Sequence, residues 1–258
     1  MAMPTNTPVL GEVFLPEPHH LEITAEPLAL AHYGPQTAAH QEIAGLQFEQ
    51  GFFVARPVKL TDFAEVIAYQ RLRYDYFVLE KGWVPADPQS PQQETDHYDA
   101  YAQHLAVFKD GQMVAYLRVL PWQEEIGFML DHEFSALLST ESQRTFVRHG
   151  AAELSRLVPP FFPATASSHE VKIVLELLLK LLYHVCREHN ITCYYIVVEP
   201  SWLKPFARRF GLAFEPIGIP YTFPDGTQAV AAYASLADFE KAVEQHSAEK
   251  FRWYRQAF

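Results

Sequence analysis

The chain has 258 residues, with 49% hydrophobic and 14% aromatic side chains, enough apolar material for a substantial core and too much for wholesale disorder. Its formal net charge of −11 excludes a general nucleic-acid binder, which would need clustered Lys and Arg for phosphate contacts. Two cysteines, Cys186 and Cys193, form neither a CxxC pair nor a disulfide framework, and they read as buried thiols of a reducing compartment.

In chain order, residues 1–47 hold Pro4, Pro8, Pro16, Pro18, Pro27 and Pro35 with no sustained period, and are expected to form an extended, partly disordered arm. Their histidines, His19, His20, His32 and His40, lack the spacing of a zinc site, so no metal is expected. The opening twenty residues have no basic region followed by an apolar run and are not a secretory signal. FFVARPV (52–58) then predicts a strand, and Thr61-Asp62 a helix N-cap for a helix over 62–79. After a Pro-rich loop at 84–93, HLAVFKDGQMVAYLRVL predicts a hairpin turning at Asp110-Gly111. AAELSRLV (151–158) is a further strand, stopped by Pro159-Pro160.

The second half predicts a long helix over 169–189, a buried strand in ITCYYIVVEP, and a helix in SWLKPFARRFG closed by Gly211. Strands at about 213–222 and 228–235 flank Pro224-Asp225-Gly226, and a last helix covers about 236–247. The long helix places Lys172, Glu176, Lys180, His184 and Glu188 at four-residue intervals among Leu, Ile and Val. That pattern is read as one solvated stripe on a buried cylinder. Glu176 and Lys180 also break the longest apolar run, so no transmembrane segment is expected, and the protein is read as soluble and cytoplasmic. The element order suits one α/β domain over 48–250, a mixed sheet with helices on both faces, followed by a tail at 251–258.

Charge patterning adds one question. The stretch ETDHYDAY (94–101) packs Glu94, Asp96 and Asp99 just before the hairpin, while AYLRVL buries Arg118 in an apolar strand, which is costly without a carboxylate nearby. Asp96, Asp99, Arg73 and Arg118 are therefore expected to form one network. Glu153 and Arg156, three apart on a strand, are expected to point to opposite faces and to need different partners. On these residues alone, an ionic network that merely pins helix to sheet outweighs a catalytic one.

The ordered set R-x3-F-x5-W, E-x-D-x-YD, V-x-x-LR and E-x-SR resembles the autoinducer-synthase branch of the GNAT acyltransferase superfamily, which contains acyl-homoserine lactone synthases and N-acyl amino acid synthases. Arg73, Phe77, Trp83, Asp96, Asp99, Arg118, Glu153 and Arg156 match that pattern one by one. VVEPSWLKPFARRFGLAFEPIG looks more like the exosortase-associated and N-acyl amino acid acyltransferases, and the resemblance spans about 50–240. It implies a GNAT-like sheet with two splayed central strands, an acyl thioester as co-substrate with no resident cofactor, and attack by an amine. Arg73, Phe77, Trp83, Asp96, Asp99, Arg156 and Phe134 would then bind substrate, with Arg118 at the reacting end. Glu153, through a water, or His149 is the general base. A bulge around 153–158 would offer a backbone N–H to the carbonyl oxygen.

One departure from the family bears on the donor. Coenzyme-A-dependent GNATs carry a Gly-rich loop that cradles pyrophosphate before the long helix, whereas VPPFFPATASSHE has no glycine. An acyl carrier protein is therefore the expected donor and partner, docking on Arg144, Arg148, Lys172, Lys204, Arg208 and Arg209. The expected reaction is N-acylation of an amino acid. Two other readings stand beside it: an acyl-homoserine lactone synthase using S-adenosylmethionine, and a non-catalytic module binding acyl groups or a carrier protein.

Overall fold

The computed structural model describes residues 45–86, 92–139, 146–160, 167–223 and 226–256, without the side chain of Arg209. The expected arm up to residue 44, Arg144, residues 87–91 of the Pro-rich loop and the turn at Pro224-Asp225 lie outside them.

Nine strands form one sheet system in the order β1-β2-β3-β4-β5-β6-β9-β7, with β8 paired to β9. The strands are β1 (Phe48–Gln50), β2 (Phe53–Pro57), β3 (Gln103–Lys109), β4 (Gln112–Pro121), β5 (Ala151–Val158), β6 (Cys193–Val198), β7 (Glu215–Pro216), β8 (Tyr221–Thr222) and β9 (Gln228–Ser235). The predicted hairpin is β3–β4, turning at Asp110-Gly111 with both residues at positive φ. Among the described strands only β5 and β6 pair in parallel. A hairpin turn cannot join parallel strands, and here the 21-residue α2 (Ser168–Glu188) makes the crossover.

Helices α2, α3 (Pro200–Phe210) and α4 (Leu236–His246) pack on one face, over Leu105, Val119, Leu154 and Tyr194. Gly211, at φ 71, ends α3 as its composition predicts. The opposite face carries α1 (Phe63–Arg73), capped by the Asp62 side chain, which accepts from the Ala64 N–H. The helix then continues through wider i→i+5 turns over Tyr74–Glu80. That face holds two apolar clusters, one around Tyr69, Phe77 and Tyr116, the other around Tyr98, Phe128, Leu130 and Tyr195.

One strand of this domain was not foreseen, and one expectation fails at its end. The unforeseen strand is the three-residue β1, too short to show a period, which Gly51 (φ 61) turns back onto β2. The expected tail from 251 is not one, because Ala248–Arg255 form a helix, α5, with Tyr254 fully buried. The expected solvated stripe on α2 is where α5 docks. Glu176 accepts from Lys250 Nζ at 2.8 Å, Lys180 lies between the rings of Phe48 (4.5 Å) and Trp253 (4.6 Å), and His184 Nε2 donates to the Tyr254 carbonyl at 2.7 Å. Lys180 and His184 are buried, and only the stripe's ends, Lys172 and Glu188, are exposed. Periodicity located the stripe, but its partner is a segment seventy residues away in sequence.

Candidate active site

The parallel pair β5–β6 holds register from Ala151↔Cys193 to Leu154↔Ile196 and no further, although the strands run on to Val158 and Val198. Burial falls at that point on both strands: Ser155, Arg156, Leu157, Ile196, Val197 and Val198 are all half-buried. Two central strands thus part to leave an opening at one end of the sheet.

On its other side β5 meets β4, and the register slips by one residue between Tyr116↔Val158 and Arg118↔Ser155. The extra residue makes a β-bulge at Arg156, whose φ of +54 is left-handed and rare for a side chain of this size. The bulge corrects the expectation that Glu153 and Arg156 face opposite ways. Glu153 and Ser155 share a face by strand alternation, and Ser155 Oγ accepts from Arg118 Nε at 2.9 Å. The extra residue turns Arg156 onto that same face. There its Nη2 lies 3.0 Å from both Glu94 and Asp96.

The expected network is present. Arg73 donates to Glu94 and, at 2.6 Å, to Asp99; Arg118 donates to Asp96 and, at 2.7 Å, to Asp99. Three guanidinium groups thus meet three carboxylates, so the cluster is formally neutral, and Arg73 and Arg118 are fully buried. Burial pushes the Asp99 carboxyl up, but Arg73 and Arg118 outweigh it and hold it well below the usual carboxylate range. Arg118 moves the other way: burial lowers it, and Asp96 with Asp99 raise it further. Asp96 and Asp99 also cap the one-turn helix His97–Tyr101 reciprocally, which fixes both carboxylates before the hairpin begins. Arg118 faces His104 across the hairpin. His104 Nε2 donates to the Asp99 carbonyl at 2.9 Å, so its Nδ1 accepts from Tyr116 Oη at 2.6 Å, and burial pulls its pKa down to about 4.

Glu153 lies beyond this network, between Leu120 and Tyr195 in the sheet, and is 2% exposed. Its Oε2 accepts from the Met129 N–H at 2.6 Å, while the Met129 sulfur lies 3.0 Å from Arg118 Nη2. Burial pushes its carboxyl up to about 8, against the opposing pull of the Met129 N–H and Arg118. A carboxyl tuned to that range exchanges a proton near neutral pH.

Of the other expected residues, Phe77 lies 5.6 Å from the Arg156 guanidinium and 6.1 Å from Trp83, whose ring is 44% exposed. Phe134 packs into the apolar cluster beside Met129 and donates its N–H to the Met129 carbonyl at 3.0 Å. His149 sits exposed in the turn before β5, at the end away from the opening. Arg148 is tied to Asp131 at 2.7 Å and lies against Trp122 and Phe146, whereas Lys172, Lys204 and Arg208 are exposed. Glu94, His104, Tyr116 and Met129 were not picked out as site residues. Glu94 had a signal, because the three arginines at 73, 118 and 156 need a third carboxylate; Met129 acts through its backbone and left none.

A sequence profile for the acetyltransferase (GNAT) domain matches residues 72–158, which include the network, the hairpin and the whole of β5. No curated protein matches the chain in sequence. Among solved structures, MesI, a CoA-dependent acyl-homoserine lactone synthase, is similar at 24% identity with a TM-score of 0.55, over 74% of this chain and 87% of its own. TofI, solved in a ternary complex with an inhibitor and MTA, is similar at 21% identity and TM-score 0.57, over 75% and 97%. FeeM, an N-acyl amino acid synthase from uncultured soil microbes, is similar at 16% identity and TM-score 0.52, over 75% and 96%. These likenesses establish a shared fold. Among the described residues no helix is long and apolar enough to cross a membrane.

Proposed function

We propose, from the premise that this chain is an acyltransferase built on a GNAT domain, that it moves a fatty acyl group from an acyl-carrier-protein thioester to the amine of an amino acid. The observation that carries the transfer reading is the opening between β5 and β6, with the bulge at Arg156 on one strand and the buried carboxyl of Glu153 three residues before it. In this reading the thioester enters between the parted strands, and its carbonyl oxygen accepts from a backbone N–H on the unpaired half of β5. The amine nitrogen attacks the carbonyl carbon, the C–S bond breaks, and the sulfur leaves as a thiolate that takes a proton from solvent. The proton lost by the attacking nitrogen passes through water to Glu153, the base of this reading in preference to His149.

The donor rests on the start of α2. A capping box occupies this end, the usual seat of a phosphate: Ser167 Oγ accepts from the Glu170 N–H, and Glu170 accepts from the Ser167 N–H at 3.1 Å. The carboxylate placed there repels pyrophosphate, which favours a protein-borne thioester docking on Lys172, Lys204 and Arg208. The acceptor reading rests on Arg156, the half-buried cation of the network and so the one within reach of a substrate carboxylate. The half-exposed Trp83 beside Phe77 supports a second reading, a cationic sulfonium acceptor such as S-adenosylmethionine.

Purified protein given matched acyl-carrier-protein and acyl-coenzyme-A donors, with either an amino acid mixture or S-adenosylmethionine, tests all three parts by mass spectrometry. An N-acyl amino acid formed with a higher kcat/KM from the carrier donor is expected. A lactone released with methylthioadenosine would replace the acceptor. Preference for the coenzyme A donor would replace the carrier, and no product with any pair would overturn the transfer reading.

A further inference from the structure

Arg148 is one of the cations expected to dock a carrier protein, yet its half-buried guanidinium is engaged inside this chain. Its Nη2 donates to Asp131 Oδ1 at 2.7 Å, and its Cζ lies 5.3 Å from the centre of the Trp122 ring and 5.2 Å from that of Phe146. The backbone beside it is fixed as well. The Val147 N–H donates to the Tyr195 phenol at 2.9 Å, and the Arg148 carbonyl accepts at 3.0 Å from the N–H of Ala151, the first residue of β5. So held, the guanidinium is a fixed point at the base of β5. Asp131 passes that fixity on: its Oδ2 accepts from the Phe128 N–H at 3.2 Å, and its own N–H donates to the Phe128 carbonyl at 3.0 Å, closing the turn Phe128–Asp131. The next N–H of that turn is that of Met129, which donates to Glu153 Oε2 at 2.6 Å. Two consecutive amides are thus each held by a carboxylate, and hydrogen bonds link Arg148 to Glu153 through one turn.

We propose that Arg148 is a positioning residue for acyl transfer: by gripping Asp131 it locks the Phe128–Asp131 turn, so that the Met129 N–H stays aimed at Glu153. This rests on the proposed role of Glu153 as base. An N–H given to a carboxylate favours its charged form, so a loosened turn leaves Glu153 harder to ionise, in addition to the burial that already raises it. Four other titratable groups lie around Glu153: Arg118 on β4, Tyr195 on β6, Tyr98 on the one-turn helix, and Glu133, which accepts from Tyr98. Each is kept in the variants that follow.

The test compares wild type with Arg148→Met, which keeps the length between the rings, Arg148→Lys, which keeps the charge, and Asp131→Asn, which keeps the shape. With the preferred donor and acceptor, wild-type activity is expected to rise with pH through the Glu153 value of about 8. In Arg148→Met and Asp131→Asn the rise moves about half a unit to one unit higher, so the rate at pH 7 falls about three- to tenfold and the gap closes at high pH. The loss sits in kcat, with KM unchanged. Arg148→Lys, which reaches Asp131 with a single donor, recovers part of it. If Arg148→Met does not fold, Asp131→Asn decides alone. A docking role predicts other signs: Arg148→Met would raise KM for a carrier-borne donor, Asp131→Asn would lower it, and neither would move the profile. That outcome overturns the proposal.

A second readout is independent of turnover. Met129 is buried, and its amide should exchange with deuterium roughly three- to tenfold faster in Arg148→Met and Asp131→Asn than in wild type, followed by NMR on the full chain. An unmoved Met129 amide overturns the proposal, whatever the activity shows. A faster amide combined with a fully active Glu153→Gln variant removes Glu153 as base, and with it the catalytic part of the proposal, while the hold of Arg148 on the turn stands.

Discussion

The sheet buries positive charge on both faces and treats it in two different ways. On the α1 face, Arg73 and Arg118 are fully buried and share three carboxylates with Arg156, through planar guanidinium groups whose several N–H donors suit such a cluster. On the α2 face, Lys180 is buried with no carboxylate paired to it among the described residues; two aromatic rings clasp its ammonium instead, and burial lowers its pKa. The first arrangement has many partners and one geometry. It fixes the bulge at Arg156 beside the opening between β5 and β6. The second is a local clasp that holds α5 to the body through Trp253. Breaking one partner should therefore cost much on the first face and little on the second.

The largest effect is expected from Arg118→Met. It strands Asp96 and Asp99 without their shared cation, with a loss of roughly 3–5 kcal/mol in urea unfolding or no soluble protein at all. A variant as stable and as active as wild type would mean that the network is not held as described.

Glu153→Gln comes next, with its effect in activity: kcat/KM is expected to fall about 10²–10⁴-fold, because the proposed base is gone while the Met129 N–H keeps an acceptor. Stability should move the other way. Glu153 has a folded pKa of about 8, above its unfolded value, so wild type loses stability relative to the variant as pH rises from about 4.5 to 8, and the gap is constant above. A Gln variant that is less stable at pH 9 would contradict that assignment.

Lys180→Met should change stability at neutral pH by no more than about 1 kcal/mol, since the volume is kept and only a cation–π contact is lost. Because burial lowers the Lys180 pKa, wild type should gain stability as pH climbs toward 10.5 and the variant should lack that gain. A loss as large as that of Arg118→Met would erase the contrast between the faces. The smallest change is expected where the cation is exposed: Arg208→Glu should leave stability within about 0.5 kcal/mol. It should raise KM for a carrier-borne donor several-fold, an effect that shrinks in high salt.

Much of this was legible from residue order. The Asp110-Gly111 hairpin, the cap at Asp62, the stop at Gly211 and the 21-residue α2 follow from turn chemistry, capping and period, all of which act within a few residues. So did the pairing of Arg118 with Asp96 and Asp99, because a guanidinium in an apolar strand demands a carboxylate wherever the chain can supply one. Three features were decided only in the fold. A bulge is a one-residue slip against a neighbouring strand, so nothing in ELSR announces that Arg156 turns onto the face of Glu153. The α2 stripe became an interface because α5 covers it, and an i,i+4 pattern reads the same whether it meets water or another helix. The shift of Glu153 to about 8 arises from burial under a loop whose hold on it is a backbone N–H, a group every residue but proline carries and no sequence pattern reveals. Local chemistry wrote the elements and paired the strongest charges; desolvation and register, which depend on what packs across the sheet, decided which of those charges reach the opening.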